Sequence, residues 1–176
     1  NLSDKWIIKL LKSNIEGTLS LEQLDSLLLS IFPNKSKNPN IQKRIIEACA
    51  IAGYRNRINS VPVLICDDAP QFKQITEELG LCWIHEGRHY KKLSPVYSWH
   101  RELLDSFIND FWDFYADLKN YKKNPDAVLK ESILKKFDIL FTIKTKYDDL
   151  DERIAKTFAK KNELLPVLDK PYLPLH

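Results

Sequence analysis

Apolar residues recur at spacings of three and four along most of this chain, and they close up into short continuous runs around residues 63–84. The spacing predicts a helix over residues 4–16, with Trp6, Ile7, Leu10 and Leu11 on one face and Gly17 as its stop. Ser20 and Gln23 then stand at capping-box spacing, and Leu19 and Leu24 at the spacing of a hydrophobic staple. The helix they open runs to about Phe32 through Leu24, Leu27, Leu28 and Ile31. Pro33 to Asn40 is a polar loop. A third helix follows from Ile41 to about Ala52, with Ile41, Ile45, Ala48, Cys49 and Ala52 buried and Gly53 at its end. The basic, aromatic Tyr54-Arg55-Asn56-Arg57 reads as a solvated helix end, with backbone contact to nucleic acid as the other reading.

The pattern changes at Val61. Val63, Leu64 and Ile65 form an apolar, β-branched run of the kind buried on both faces of a sheet, which predicts a strand over 62–66. It ends in two carboxylates, Asp67 and Asp68, and Pro70 has the fixed φ that suits a helix start. A helix is expected from about Pro70 to Leu79, with Phe72, Ile75 and Leu79 inward and Gly80 closing it. Leu81-Cys82-Trp83-Ile84 then reads as a second strand, parallel to the first, because a helix is the usual crossover between parallel strands.

After Pro95 the helical period takes over, and residues 98–165 contain no glycine. One helix carries Leu104, Phe107, Ile108, Phe111, Tyr115 and Leu118. A second starts near Asn124-Pro125 and carries Leu129, Ile133, Phe137, Leu140 and Phe141. A third carries Leu150, Ile154, Phe158 and Leu165. The aromatic stripe of Phe107, Phe111, Trp112, Phe114 and Tyr115 reads as core. Residues 166–176 hold three prolines and read as extended. The outcome is a mostly helical α/β chain: a small α/β part with preceding helices over 1–97, an all-α segment over 98–165 and an extended return over 166–176.

Composition narrows this little. At 176 residues and 44% hydrophobic the chain can fill a core, and its net charge of +3, from 27 basic and 24 acidic residues, is too mild to mark a nucleic-acid binder by itself. Any basic surface must come from local clustering. Cys49, Cys66 and Cys82 are an odd number and widely spaced, as in a reduced, intracellular chain. No stretch is apolar and long enough to cross a bilayer, and no signal peptide is visible. The chain starts at Asn1 and contains no Met, as expected of a segment excised from a longer protein.

Three groups could carry chemistry. A carboxylate at a strand end, such as Asp67, can hold Mg²⁺ with one or two other carboxylates, while Asp68 is placed to cap the helix at Pro70. Capping alone would also account for the pair. Cys82 and His85 have the spacing of half a zinc site, but no second pair matches them. His85-Glu86-Gly87-Arg88-His89-Tyr90-Lys91-Lys92 is the densest basic cluster. Gly87 would permit close backbone approach there, and Arg88, His89, Lys91 and Lys92 could clamp phosphates near the carboxylate, or line a solvated helix face.

The runs Leu64-Ile-Cys-Asp-Asp-Ala-Pro-Gln-Phe-Lys73 and Leu81-Cys-Trp-Ile-His-Glu-Gly-Arg-His-Tyr-Lys-Lys-Leu93 together resemble bacterial insertion-sequence transposases of the DDE class, of the insertion sequence 66 type. Leu173-Pro-Leu-His176 resembles the lead into that family's last catalytic Glu. The resemblance implies a partial ribonuclease H-like core with an all-α insertion over 98–165. It implies two Mg²⁺ ions, with Mn²⁺ as a substitute, held by Asp, Asp and Glu, and it assigns Asp67 to the second Asp. It makes Cys82 and His85 supporting motif residues, and it implies double-stranded DNA as partner, assembly as a homo-oligomer on DNA and a bacterial, cytoplasmic, nucleoid-associated setting. The first Asp would precede Asn1 and the Glu would follow His176, so the segment alone is expected to be inactive. A phospho-acceptor receiver and a purely helical interaction module are the other readings of a strand ending in two acids.

Overall fold

The computed structural model describes residues 2–13, 17–33, 40–56, 61–73 and 75–176, the Gln71 side chain excepted. The chain is a mostly helical α/β protein and divides into two units, Asn1–Ser60 and Val61–His176.

The first unit consists of α1 (Asp4–Leu11), α2 (Leu21–Ile31) and α3 (Ile41–Arg55). The capping box forms in both directions: Gln23 N donates to Ser20 Oγ at 3.2 Å, and Ser20 N donates to Gln23 Oε1 at 2.8 Å. Leu28, Phe32, Ile41 and Ile45 are buried together, with Trp6, Leu10 and Leu24 packed on them. Helix α1 stops short of the expected residue 16; residues 14–16 lie outside the described set, as do 34–39 of the expected loop and Arg57. Gly53 does not end α3, which runs through it to Arg55. A glycine inside a helix costs about 1 kcal/mol, too little to stop one by itself.

The second unit starts with β1 (Val63–Cys66) and β2 (Glu78–Leu81), which pair in parallel with Val63 opposite Glu78 and Cys66 opposite Leu81. Between them the described residues do not form the expected helix over 70–79. Pro70–Phe72 makes one 3-10 turn, and β2 begins three residues before the expected second strand. One local bond and one contact distant in sequence favour the strand over the helix. Thr76 Oγ1 donates to the carbonyl of Glu78 at 2.7 Å, a side-chain bond that competes with helical pairing. Gly80, expected as a helix stop, lies mid-strand against Ile65, where a Cβ would come within 2.3 Å of Ile65 Cδ1. Cys82-Trp83-Ile84 is not strand: Cys82 precedes α4 (Trp83–Lys91).

The remaining elements are α5 (Ser98–Lys123), α6 (Ala127–Leu140), α7 (Asp148–Phe158), the short α8 (Lys161–Leu164) and a 3-10 turn at Pro166–Leu168, in the stretch expected to be extended. Asp126 caps α6, accepting from Leu129 N at 2.9 Å. The third expected helix thus splits in two after Phe158. Trp83 is fully buried at the centre of a ring cluster with Phe111, Phe114, Phe137 and Phe141, and its Nε1 donates to the Leu164 carbonyl at 2.8 Å. The aromatic stripe of α5 is therefore largely core, as its spacing indicates. The chain end returns to the same place: Trp83 N donates to Leu175 O at 2.9 Å, and Leu173 and Leu175 are buried. Among the described residues no helix is long and apolar enough to cross a membrane.

Gly87 lies on the inner face of α4, not on the outer one. A Cβ there would meet Trp112 Cζ2 at 2.8 Å and Phe111 Cε1 at 3.0 Å. The close approach it permits is between α4 and α5. Gly87→Ala should therefore lower stability by about 1–3 kcal/mol through overpacking, despite alanine's better helix propensity. Urea unfolding checks this; an unchanged or raised midpoint would show that α4 and α5 do not meet as described.

Candidate active-site cleft

Helix α4 is held in one rotation by its inner face, where Trp83, Gly87 and Tyr90 recur at intervals of four and three. The opposite face therefore carries His85, His89 and, just past the helix, Lys92, while Glu86 is buried at the border of the inner face. These four line a cleft of about 670 Å³ with Cys66, Asp67, Asp68 and Cys82. The third side is α7 and the residues after it, which supply Arg153, Lys156 and Lys160. Strand end, α4 and α7 thus converge on one opening.

The two acids at the strand end differ sharply. Asp67 Oδ1 accepts from the Ala69 amide at 3.3 Å, and no cation pairs with it among the described residues. Asp68 is not a helix cap. Its Oδ2 lies 2.8 Å from Lys160 Nζ and its Oδ1 lies 3.3 Å from Lys73 Nζ. Burial works against its charge, but the hydrogen bond and charge of Lys160, with Lys73 behind it, hold the Asp68 carboxyl below its ordinary range.

The basic cluster is divided by the helix. His89 and Lys92 face the cleft, and Arg88 Nη1 contacts His85 Nε2 at 3.2 Å at the exposed edge. Lys91 lies elsewhere, 5.6 Å from the Trp112 ring. Cys82 and His85 both line the cleft, but among the described residues no group of three His, Cys, Asp or Glu side chains is arranged to hold a metal ion. Burial, helped by the neighbouring charges of Asp67 and Asp68, pushes the Cys66 thiol up, so it stays protonated and a weak nucleophile at neutral pH.

The group that sequence spacing does not single out is Glu86. Its side chain is 3% exposed and pairs with Arg153, itself 12% exposed. Thr157 Oγ1 donates to Glu86 Oε1 at 2.5 Å and lies 2.5 Å from the Tyr90 hydroxyl. Lys160 Nζ stands 3.8 Å from Glu86 Oε2. The available signal was an acid between two basic residues on a helix; its partners lie far along the chain, where no local pattern announces them.

His89 feels this surrounding directly. Burial, then the Arg153 charge, lowers its pKa from the ordinary 6.5, and Glu86 only partly opposes them. The folded state thus binds fewer protons than the unfolded one just below that value. The stability this neutral ring contributes is complete above about 6.5 and is lost as pH falls through it towards the folded value. An imidazole titration followed by NMR should place the His89 midpoint below 6.5; a midpoint above it would contradict the description of the cleft.

No family model matches this chain, and no solved structure matches it. Over 114 residues it is 35% identical to the uncharacterized protein y4jO of Sinorhizobium fredii, a match that covers 65% of this chain and 35% of that protein. The chain therefore spans little more than a third of the relative's length.

Proposed function

We propose that this chain is the central part of a DDE-class DNA transposase and that Asp67 is one of its metal-binding acids. The observation that carries the reading is Asp67 itself: an acid at the end of a parallel strand, without a cation partner among the described residues, in the wall of a cleft whose other walls carry His85, His89 and Lys92. The strand pair is compatible with a piece of a ribonuclease H-like sheet. Strand β1 has β2 on one edge and no strand on the other among the described residues, while all four of its residues are half-buried. Residues 98–165 would be the all-α insertion.

A Mg²⁺ ion takes oxygen ligands and retains several waters, so one carboxylate is a fitting contribution to a shared site but not a site. Asp67 fits as one such ligand. Asp68, already held by two lysines, does not. In the family's chemistry the ions would activate water and then a DNA 3′-hydroxyl for attack on phosphodiesters. This chain's part would be to present Asp67 and to hold the DNA backbone against His89, Lys92 and the exposed Arg88. Double-stranded DNA is the proposed partner, with assembly as a homo-oligomer on it and a bacterial cytoplasmic, nucleoid-associated setting.

Two measurements test this. In the longer protein that supplies the other acids, Asp67→Asn should reduce DNA cleavage by about 10³-fold or more while duplex binding persists. Retained cleavage would remove Asp67 from the site. With this chain and a DNA duplex, Lys92→Ala should reduce the salt dependence of binding by about one phosphate contact, while Lys91→Ala should change it little. Fluorescence anisotropy across a salt series reads both, and binding without salt dependence would refute the proposed DNA-facing wall.

A further inference from the structure

Asp68, Glu86 and Lys160 come from three separate elements: the turn after β1, α4, and the link between α7 and α8. Lys160 Nζ is 2.8 Å from Asp68 Oδ2 and 3.8 Å from Glu86 Oε2, and its side chain is 20% exposed. Each acid also has a partner of its own. Glu86 has Arg153 and Thr157, and Asp68 has Lys73, whose side chain is 51% exposed. Among the described residues, Lys160 is the cation whose ion pairs join both. Removing its charge would leave Glu86 satisfied and Asp68 partly satisfied, but would cut the link between the strand turn and the helices.

We propose that Lys160 is a positioning residue of the cleft: by clamping Asp68 to Glu86 it fixes the turn that presents Asp67. The helical segment thereby acts on the acid without touching it. Asp67 precedes Asp68 directly, and among the described residues its own anchor is one long bond from the Ala69 amide, so the orientation of its carboxylate follows that of the turn. Lysine suits the task because its compact ammonium can serve two acids at once. The proposal concerns the same cleft as the transposase reading, and its cation-binding consequence rests on that reading.

The test compares Lys160→Met, which keeps the apolar stem, with Lys160→Arg, which restores the charge. Hydrogen exchange at the Asp67, Asp68 and Ala69 amides should quicken by roughly tenfold or more in Lys160→Met, with exchange in α5 and α6 unchanged, and Lys160→Arg should restore it. The second readout, in the longer protein that supplies the other acids, is paramagnetic broadening of the His85 and His89 ring signals by Mn²⁺. The broadening should need several-fold more Mn²⁺ in Lys160→Met, return in Lys160→Arg and vanish in Asp67→Asn. Unchanged exchange in the turn, or equal quickening throughout α5 and α6, overturns the clamp. If Lys160→Met does not fold, Lys160→Gln takes its place under the same criteria. If Asp67→Asn leaves the broadening intact, the metal reading of Asp67 fails, while the exchange comparison still decides the clamp.

Discussion

The burial of one indole sets the geometry of the second unit. Trp83 is fully enclosed, and four phenylalanine rings from α5, α6 and the end of α6 lie within 6.4 Å of it, centroid to centroid. A tryptophan removes roughly 150–250 Å² from water, worth about 4–6 kcal/mol before losses of entropy are counted. Its one polar atom is satisfied by Leu164 O and its backbone amide by Leu175 O, so the chain's last stretch is tied to the same residue. With Trp83 pinned and Gly87 pressed against Trp112, α4 has no freedom to rotate. Its polar face then points where it does because its apolar face cannot move.

The charged network on that polar face contributes geometry more than stability. A buried ion pair such as Glu86 with Arg153 gains Coulomb energy but loses hydration, and the two terms nearly cancel. Breaking it is costly, because one charge would be left enclosed. Such a pair penalises every arrangement of α4 and α7 other than the native one. Tyr90 and Thr157 extend the same constraint inward through hydroxyl contacts, and Arg153 lies over the Tyr90 ring at 5.8 Å. The relative placement of His89 and Lys160 is fixed as a consequence.

Local rules read much of this chain correctly. The capping box at Ser20, a parallel pair of short strands (the second three residues earlier than expected) and the long glycine-free helices all follow from spacing and residue type, whereas the cap expected of Asp68 does not form. The failures share a cause. Over Pro70–Gly80 the window is too short to separate a helical period from a strand, and the deciding contact, Gly80 against Ile65, lies outside it. Gly87 signalled a close approach, but the partner proved to be a helix behind it. Glu86 resembles any exposed helical acid until Arg153, 67 residues later, is folded against it. In each case the deciding neighbour is distant in sequence.

The contrast between the adjacent acids follows from the turn that carries them. Two carboxylates on consecutive residues repel unless one is neutralised, and here Lys73 and Lys160 approach Asp68 from two sides. Lys73 and Lys160 thus compensate Asp68, while Asp67 Oδ1 has the Ala69 amide as its partner among the described residues. The cations that also line the cleft are engaged elsewhere or stand on the other walls: Arg153 with Glu86, Lys156 with Glu152, His89 held towards neutrality. Among the described residues Asp67 is therefore the acid of this strand end without a cation partner, and this arises from the way the surrounding charges are paired with one another.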